Sequence, residues 1–169
     1  LNMISVQNGI ISNSGVVVEL TKEENFETNP IQVSRIVATD VGNVGYLMYN
    51  QFVASESNAL NEIFADFNTN GIIDLVIDLR YNGGGSVRNC VELASMITGQ
   101  FTNQIFSKEQ WNSKLDRYLK ENFGSEGQIN RFVGALSDGE TINSLKLNRV
   151  FVLTTSESAS ASELLINGL

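Results

Sequence analysis

The sequence contains no histidine and only one cysteine among its 169 residues. Without histidine there is no Ser-His-Asp triad, no imidazole base and no histidine-liganded zinc within these residues. The lone Cys90 excludes an internal disulfide and any CxxC metal knuckle. Basic residues are scarce too: 11 Lys plus Arg stand against 19 Asp plus Glu, a formal net charge of -8. That balance offers no electrostatic footprint for nucleic acid or for an anionic membrane surface. No apolar run approaches the roughly eighteen residues of a membrane span. The first residues also lack the charged and then apolar pattern of a secretory signal. A hydrolase built from these residues would have to activate its nucleophile without imidazole.

What is present suffices for a folded domain. Hydrophobic residues make up 42% and charged residues 18% of the chain, enough to bury a core at a length typical of one domain. Residues 1 to 40 read as short strands and turns, with turn dipeptides at Asn8-Gly9 and Ser14-Gly15 and β-rich runs at Val16–Leu20 and Ile31–Ala38. The polar stretch from Thr21 to Asn29 separates those runs, and a boundary is expected between Leu20 and Pro30. Gly45-Tyr46-Leu47-Met48-Tyr49 reads as a strand entering a core. From Asn58 the period becomes helical, with Ala59, Leu60, Ile63, Phe64 and Phe67 on one face and Glu62 and Asp66 on the other. Gly71 is placed for a left-handed cap.

The run Ile72 to Arg80 is almost continuously apolar, as a strand buried on both faces requires. It leads into Asn82-Gly83-Gly84-Gly85-Ser86 and then a helix with Val87, Val91, Ala94 and Ile97 on its stripe. The order strand, helix, strand, glycine loop, helix predicts a layered α/β core. Gln100 to Ser144 is less regular. It reads as a surface insertion, or alternatively a lid or substrate-groove element, with one helix from about Lys108 to Asn122. Leu147 to Thr154 is a further apolar strand, and a last helix follows, in which Ala161, Leu164, Leu165 and Leu169 keep helical spacing to the final residue. That unbroken stripe reads as a fragment of a longer chain.

Two loops can carry chemistry. In Asn82-Gly83-Gly84-Gly85, glycines permit positive φ and bring bare N–H groups close to a ligand, at a helix start that favours an anion. The loop does not complete a dinucleotide fingerprint, because Arg88 stands where its last glycine belongs, and it lacks the Gly-Lys-Ser/Thr of a phosphate loop. Taken alone, it reads as a tight turn that needs no ligand. In Ser158-Ala159-Ser160-Ala161-Ser162-Glu163 a serine stands where a strand turns into a helix, a corner that exposes a nucleophile and aims the following N–H at an oxyanion. The same Ser160-x-x-Glu163 spacing is a capping box, in which the hydroxyl would serve its own helix.

Together the loops describe an acyl-transfer site, with the nucleophile on one and N–H donors from both. Without histidine, the base would be a lysine kept neutral by burial. The lysines present, Lys22, Lys108, Lys114, Lys120 and Lys146, all lie in polar surroundings.

At these loops the sequence resembles the carboxyl-terminal processing proteases, or tail-specific proteases. The match rests on Gly45-Tyr46-Leu47 with Phe52 following, on Asp78-Leu79-Arg80-Tyr81-Asn82-Gly83-Gly84-Gly85, and on Ser158 to Glu163, in that order, over roughly Gly42 to Leu169. The resemblance implies an α/β fold with a crotonase-like (ClpP-like) core of β-β-α repeats and a Ser-Lys dyad. It implies that residues 1–25 are the end of a PDZ-like domain and linker, with Val16 to Leu20 as its last strand, and that 26–169 belong to the peptidase domain. By position, Ser160 becomes the nucleophile, and the backbone N–H groups of Ala161 and Gly84 become oxyanion donors, with Gly85 supporting the loop. Glu163 supports the helix start, and Ser156, Ser158 and Ser162 act as caps and spacers. In that family the base lysine follows the nucleophile helix, beyond residue 169.

The implied substrate is a polypeptide with an exposed C-terminus, cleaved without a cofactor or metal, and the implied location is the cell envelope or periplasm. Nucleic acid is not an expected partner, and no integral membrane segment is expected in these residues. Two other functions compete: a non-catalytic peptide-binding module of the same fold, and a phosphate-binding protein using Gly83 to Gly85.

Overall fold

The computed structural model describes residues 2–22, 24 and 28–169. Strands β1 (Asn2–Gln7) and β2 (Ile10–Val17) pair antiparallel as a hairpin. Its turn is made by Asn8 and Gly9, both at positive φ, as a two-residue hairpin turn requires. The hairpin places no residue in the core, and its apolar side chains, among them Ile4, Val6, Ile11 and Val17, are exposed. Val16 and Val17 belong to β2, but the strand stops there and Val18 to Leu20 are not part of it. The boundary expected at 25 to 26 falls at residues outside those described.

The body of the molecule is a four-stranded sheet of order β3-β4-β5-β8. Strand β3 (Ile31–Thr39) pairs antiparallel with β4 (Gly42–Tyr49), and β4, β5 (Asp74–Asp78) and β8 (Val150–Leu153) run parallel. Helix α1 (Ser57–Thr69) connects β4 to β5 and buries Leu60, Phe64 and Phe67, with Glu62 and Asp66 outside. It ends as its sequence predicts, with Gly71 at φ 58. Gly45 on β4 meets the Ile72, Leu75 and Phe67 side chains so closely that a Cβ would lie 2.7 Å from Ile72 Cδ1. Four of the five β5 residues are buried, as expected of a strand covered on both faces. The strands expected over Ile72–Arg80 and Leu147–Thr154 are shorter, because only their central residues find ladder partners on the neighbouring strand.

Helix α2 (Val87–Thr98) departs from its predicted one-sided stripe: every residue from Asn89 to Thr98 is buried, while Val87 is exposed. Helices α1 and α4 (Ala161–Gly168) pack against α2, and the stretch from Gln100 to Ser144, which is not a surface insertion, adds further cover. It supplies β6 (Ile105–Lys108) and β7 (Ile129–Arg131), which pair antiparallel, and it places Phe106, Phe132, Leu136 and Ile142 in the core. Leu145 and Leu147 donate backbone hydrogen bonds to Met96 and Ile97 at the end of α2. The expected helix from Lys108 is α3 (Ser113–Phe123), and Lys108 itself ends β6. Asn112 caps α3 by accepting the Lys114 and Leu115 N–H groups. Helix α4 (Ala161–Gly168) closes the chain, with Gly168 too near the Phe106 ring to admit a Cβ. No helix among the described residues is long and apolar enough to cross a membrane.

The end of β5 is fastened by a buried carboxylate. Asp78 accepts hydrogen bonds from Arg80 Nε at 3.0 Å, Arg80 Nη2 at 2.7 Å and the Tyr46 hydroxyl at 2.7 Å. The Arg80 guanidinium holds the Asp78 pKa down at about 2, and the same carboxylate raises that of Tyr46. A carboxyl whose pKa is lower in the folded state adds stability that is complete above its unfolded value, 3.8, and is lost as pH falls through the folded one. Urea unfolding of Asp78→Asn should therefore show a deficit that is constant from pH 5 to 7. The deficit should shrink between pH 4 and 2, whereas a gap that stays constant to pH 2 would mean the ion pair contributes nothing.

Candidate active site

Strands β5 and β8 are parallel neighbours, so the loops leaving their C-terminal ends emerge side by side. This is the edge at which open α/β sheets present their ligand crevices. Leu79 donates its N–H to Leu153 O at 2.9 Å, continuing the pairing one step past the strands. Beyond it, the turn after β8 is tied to the segment after β5 by side chains. Thr155 Oγ1 donates to Arg80 O at 2.7 Å, and Ser158 Oγ donates to Leu79 O at 2.7 Å. Ser162 Oγ donates to Asn82 O at 2.9 Å, and the Ala159 N–H to the same oxygen at 3.3 Å. Ser158 and Ser162 are thus occupied as spacers, while Ser160 is exposed.

Ser160 has φ 56 and ψ -114. An N-cap residue is ordinarily extended, and a β-carbon makes this backbone costly, on the order of 1–3 kcal/mol. Such a residue persists only where its surroundings over-determine it, and the four ties from the turn to Leu79, Arg80 and Asn82 do so. Ser160 and Glu163 have the capping-box arrangement. Its bond of full geometry runs from the Ser160 N–H to Glu163 Oε2, at 3.0 Å. The reciprocal half is also present, with the Ser160 side chain facing the Glu163 N–H, but it falls short of a hydrogen bond.

The glycine loop comes up against this turn. A Cβ on Gly84 would lie 2.6 Å from Ser160 Cβ, 2.9 Å from Ala159 O and 3.0 Å from the Ala161 nitrogen. Gly84 has φ 109 and Gly85 φ 135, conformations that side chains rarely adopt. The loop is held from below by Phe52, whose N–H donates to Gly84 O at 2.9 Å and whose carbonyl accepts the Ser86 N–H at 2.8 Å. Phe52 passes so close that a Cβ on Gly85 would overlap its carbonyl.

All four residues singled out from the sequence are therefore brought together: Ser160 and Ala161 at the start of α4, Gly84 against them, and Gly85 beside Gly84. Their N–H groups are not equivalent. That of Gly84 donates to Asn82 Oδ1 at 2.8 Å. Those of Gly85 and Ala161 have no acceptor among the described residues. Beneath the turn, Cys90 Sγ contacts Ala161 O at 3.3 Å, and burial pushes its thiol pKa up to about 12. Lys22, Lys108, Lys114, Lys120 and Lys146 are all exposed, so none is a buried base.

Sequence reasoning missed Asn82, which is fully buried. Its place in an Asn-Gly dipeptide marks a turn, and nothing in that dipeptide signals a side chain aimed inward. It also missed the chain of bonds behind the loop. Tyr49 OH donates to Asn89 Oδ1 at 2.8 Å, Asn89 Nδ2 to Ser57 Oγ at 2.9 Å, and Ser57 Oγ to Glu92 Oε2 at 2.5 Å.

The family model of peptidase family S41 matches residues 43–169. The chain belongs to that family. It is 25% identical over 159 residues to a Staphylococcus epidermidis protein whose name describes a CtpA-like serine protease, an alignment covering 83% of this chain and 32% of that one. A Bacteroides fragilis NCTC 9343 structure titled as an S41 protease superposes with a TM-score of 0.74 at 26% identity, over 99% of this chain and 43% of that one. The photosystem II D1 C-terminal processing protease shares the fold, with a TM-score of 0.56 at 20% identity, over 86% of this chain and 35% of its own. The chain thus spans about a third of the curated S. epidermidis relative, and its architecture is the mixed α/β fold of S41 protease structures.

Gly84→Ala should lower the melting temperature, since both φ 109 and the Ser160 contact oppose a methyl group. Gly83→Ala, with no atom within 4 Å of its Cβ, should be nearly neutral, and equal damage from both would contradict the packing described. The Cys90 thiol should resist iodoacetamide at pH 8 in folded protein and react once the protein is unfolded in guanidinium, as read by intact mass.

Proposed function

We propose that this chain carries the nucleophile half of a serine endopeptidase that cleaves polypeptides near exposed C-termini. The observation supporting this reading is the placement of Gly84 directly against a strained, exposed Ser160 whose neighbour Ala161 has an unpaired N–H. Ser160 Oγ attacks the scissile carbonyl, and its proton passes to a general base. The carbonyl oxygen, now negative, lies at the N-terminus of α4, where the helix dipole and the Ala161 N–H favour it. The second donor comes from the glycine loop. Gly85 offers an unpaired N–H, whereas Gly84 would have to release Asn82 to offer its own, so Gly84 acts chiefly through its bare Cα.

The base we assign is a lysine C-terminal to residue 169, as the resemblance to tail-specific proteases implies. That lysine and Ser160 together would form the dyad. We further propose crotonase-like layering for the sheet and helices, the end of a PDZ-like domain for residues 1 to about 25, and action in the cell envelope or periplasm. A groove of about 550 Å³ at the start of α2 mixes apolar side chains (Val87, Val91, Ile129 and Val133) with the charges of Arg88, Arg131 and three glutamates, and we propose it as a berth for an extended peptide.

The test uses the full-length protein and a quenched peptide ending in apolar residues. Ser160→Ala should reduce cleavage to background, a loss of about 10³-fold or more, with an unchanged melting temperature. If Ser160→Ala cleaves as wild type does, the mechanism is wrong. Wild-type protein that binds the peptide without turnover would support the non-catalytic module instead.

A further inference from the structure

We infer that Asn82 is the positioning residue that sets the gap between the glycine loop and Ser160, an inference that rests on the nucleophile role proposed above. Asn82 is completely buried and each of its polar groups is committed. Its Nδ2 donates to Tyr49 O at 2.9 Å, fixing it to the end of β4. Its Oδ1 accepts the Gly84 N–H at 2.8 Å, fixing the loop. Its own N–H donates to Leu79 O at 3.0 Å, and its carbonyl accepts from both the Ala159 N–H and Ser162 Oγ, the residues flanking the Ser160–Ala161 pair. One residue therefore bonds β4, the glycine loop and the nucleophile turn at once.

The consequence is geometric. Because Asn82 Oδ1 takes the Gly84 N–H inward, the Gly84 Cα face is left against Ser160 and the next N–H, that of Gly85, is left free. The Ala159 and Ser162 bonds to the Asn82 carbonyl hold Ser160 at a fixed height above that loop. A displacement of about 1 Å between nucleophile and donors costs on the order of 10²-fold in rate, while the binding of a peptide elsewhere along its length is untouched. Asn82 touches no reacting atom, so its effect should appear in kcat rather than KM.

The experiment compares Asn82→Asp, Asn82→Ala and Ser162→Ala with wild type in the full-length protein. Rates are expressed per Ser160 titrated with a fluorophosphonate, so that loss of folded protein is not counted as loss of catalysis. An ionised aspartate can still accept from Gly84 but places an oxygen against Tyr49 O. A protonated one restores a donor to that carbonyl. Asn82→Asp should therefore lose about 10²-fold in kcat at pH 8, with KM within threefold, and regain at least tenfold relative to wild type as pH falls to 5.5. Asn82→Ala should show the same loss without the regain.

A kcat per titrated site equal to wild type in both variants, or a loss carried by KM, would overturn the inference. If neither Asn82 variant folds, Ser162→Ala decides. It deletes only the hydroxyl on the Asn82 carbonyl, and should lower kcat about tenfold per site, an unchanged kcat overturning the inference. Ser160→Ala run in parallel separates the two levels. Activity in that variant overturns the nucleophile assignment, whereas its inactivity with unaffected Asn82 and Ser162 variants overturns the positioning role alone.

Discussion

The arrangement depends on a missing β-carbon. Where Gly84 meets Ser160, the two backbones come closer than any side chain would allow. Two adjacent parallel strands, β5 and β8, deliver the glycine loop and the serine turn to one edge of the sheet, and the contact between those loops closes the crevice. Phe52 beneath the loop and Cys90 beneath the turn fill the space behind them, so neither loop can retreat to make room.

Around this contact the interior is polar in an ordered way. Asp78, Asn82, Asn89, Glu92 and Ser162 are all buried, and each has hydrogen-bond partners. In a low-dielectric interior a polar group that loses its partner is costly, so each of these bonds resists the shift of any other. Farther from the site the core is of the ordinary apolar kind, with Leu47, Leu60, Phe64, Phe67 and Leu75 packed between sheet and helix. The fold thus divides the work: apolar packing holds the layers together, and hydrogen bonds hold the loops in register.

Much of this was legible in the amino-acid order. The apolar period of α1, the continuous run at β5 and the small-residue corners after β5 and β8 each follow from local rules, while the choice of Gly84, Gly85, Ser160 and Ala161 within those corners follows from the resemblance to tail-specific proteases. The pairing of β6 with β7 was not legible, since four- and three-residue strands carry too little periodicity. Nor was the all-round burial of α2, because Glu92, Ser95 and Thr98 look like a solvated face until the 100–144 segment folds over them. Asn82 and Ser162 were read as turn and spacer residues, because their bonds reach across some 80 positions of chain and no window along the sequence contains both ends.

The backbone of Ser160 has a consequence for the history of such a chain. Glycine occupies φ 56, ψ -114 without the penalty a serine incurs, so the replacement that removes the hydroxyl is also the one that relaxes the turn. At this position a drift toward greater stability and a drift toward loss of chemistry point the same way. On the nucleophile role proposed for Ser160, a homologous chain carrying glycine here would gain an unstrained turn and lose its chemistry in the same step.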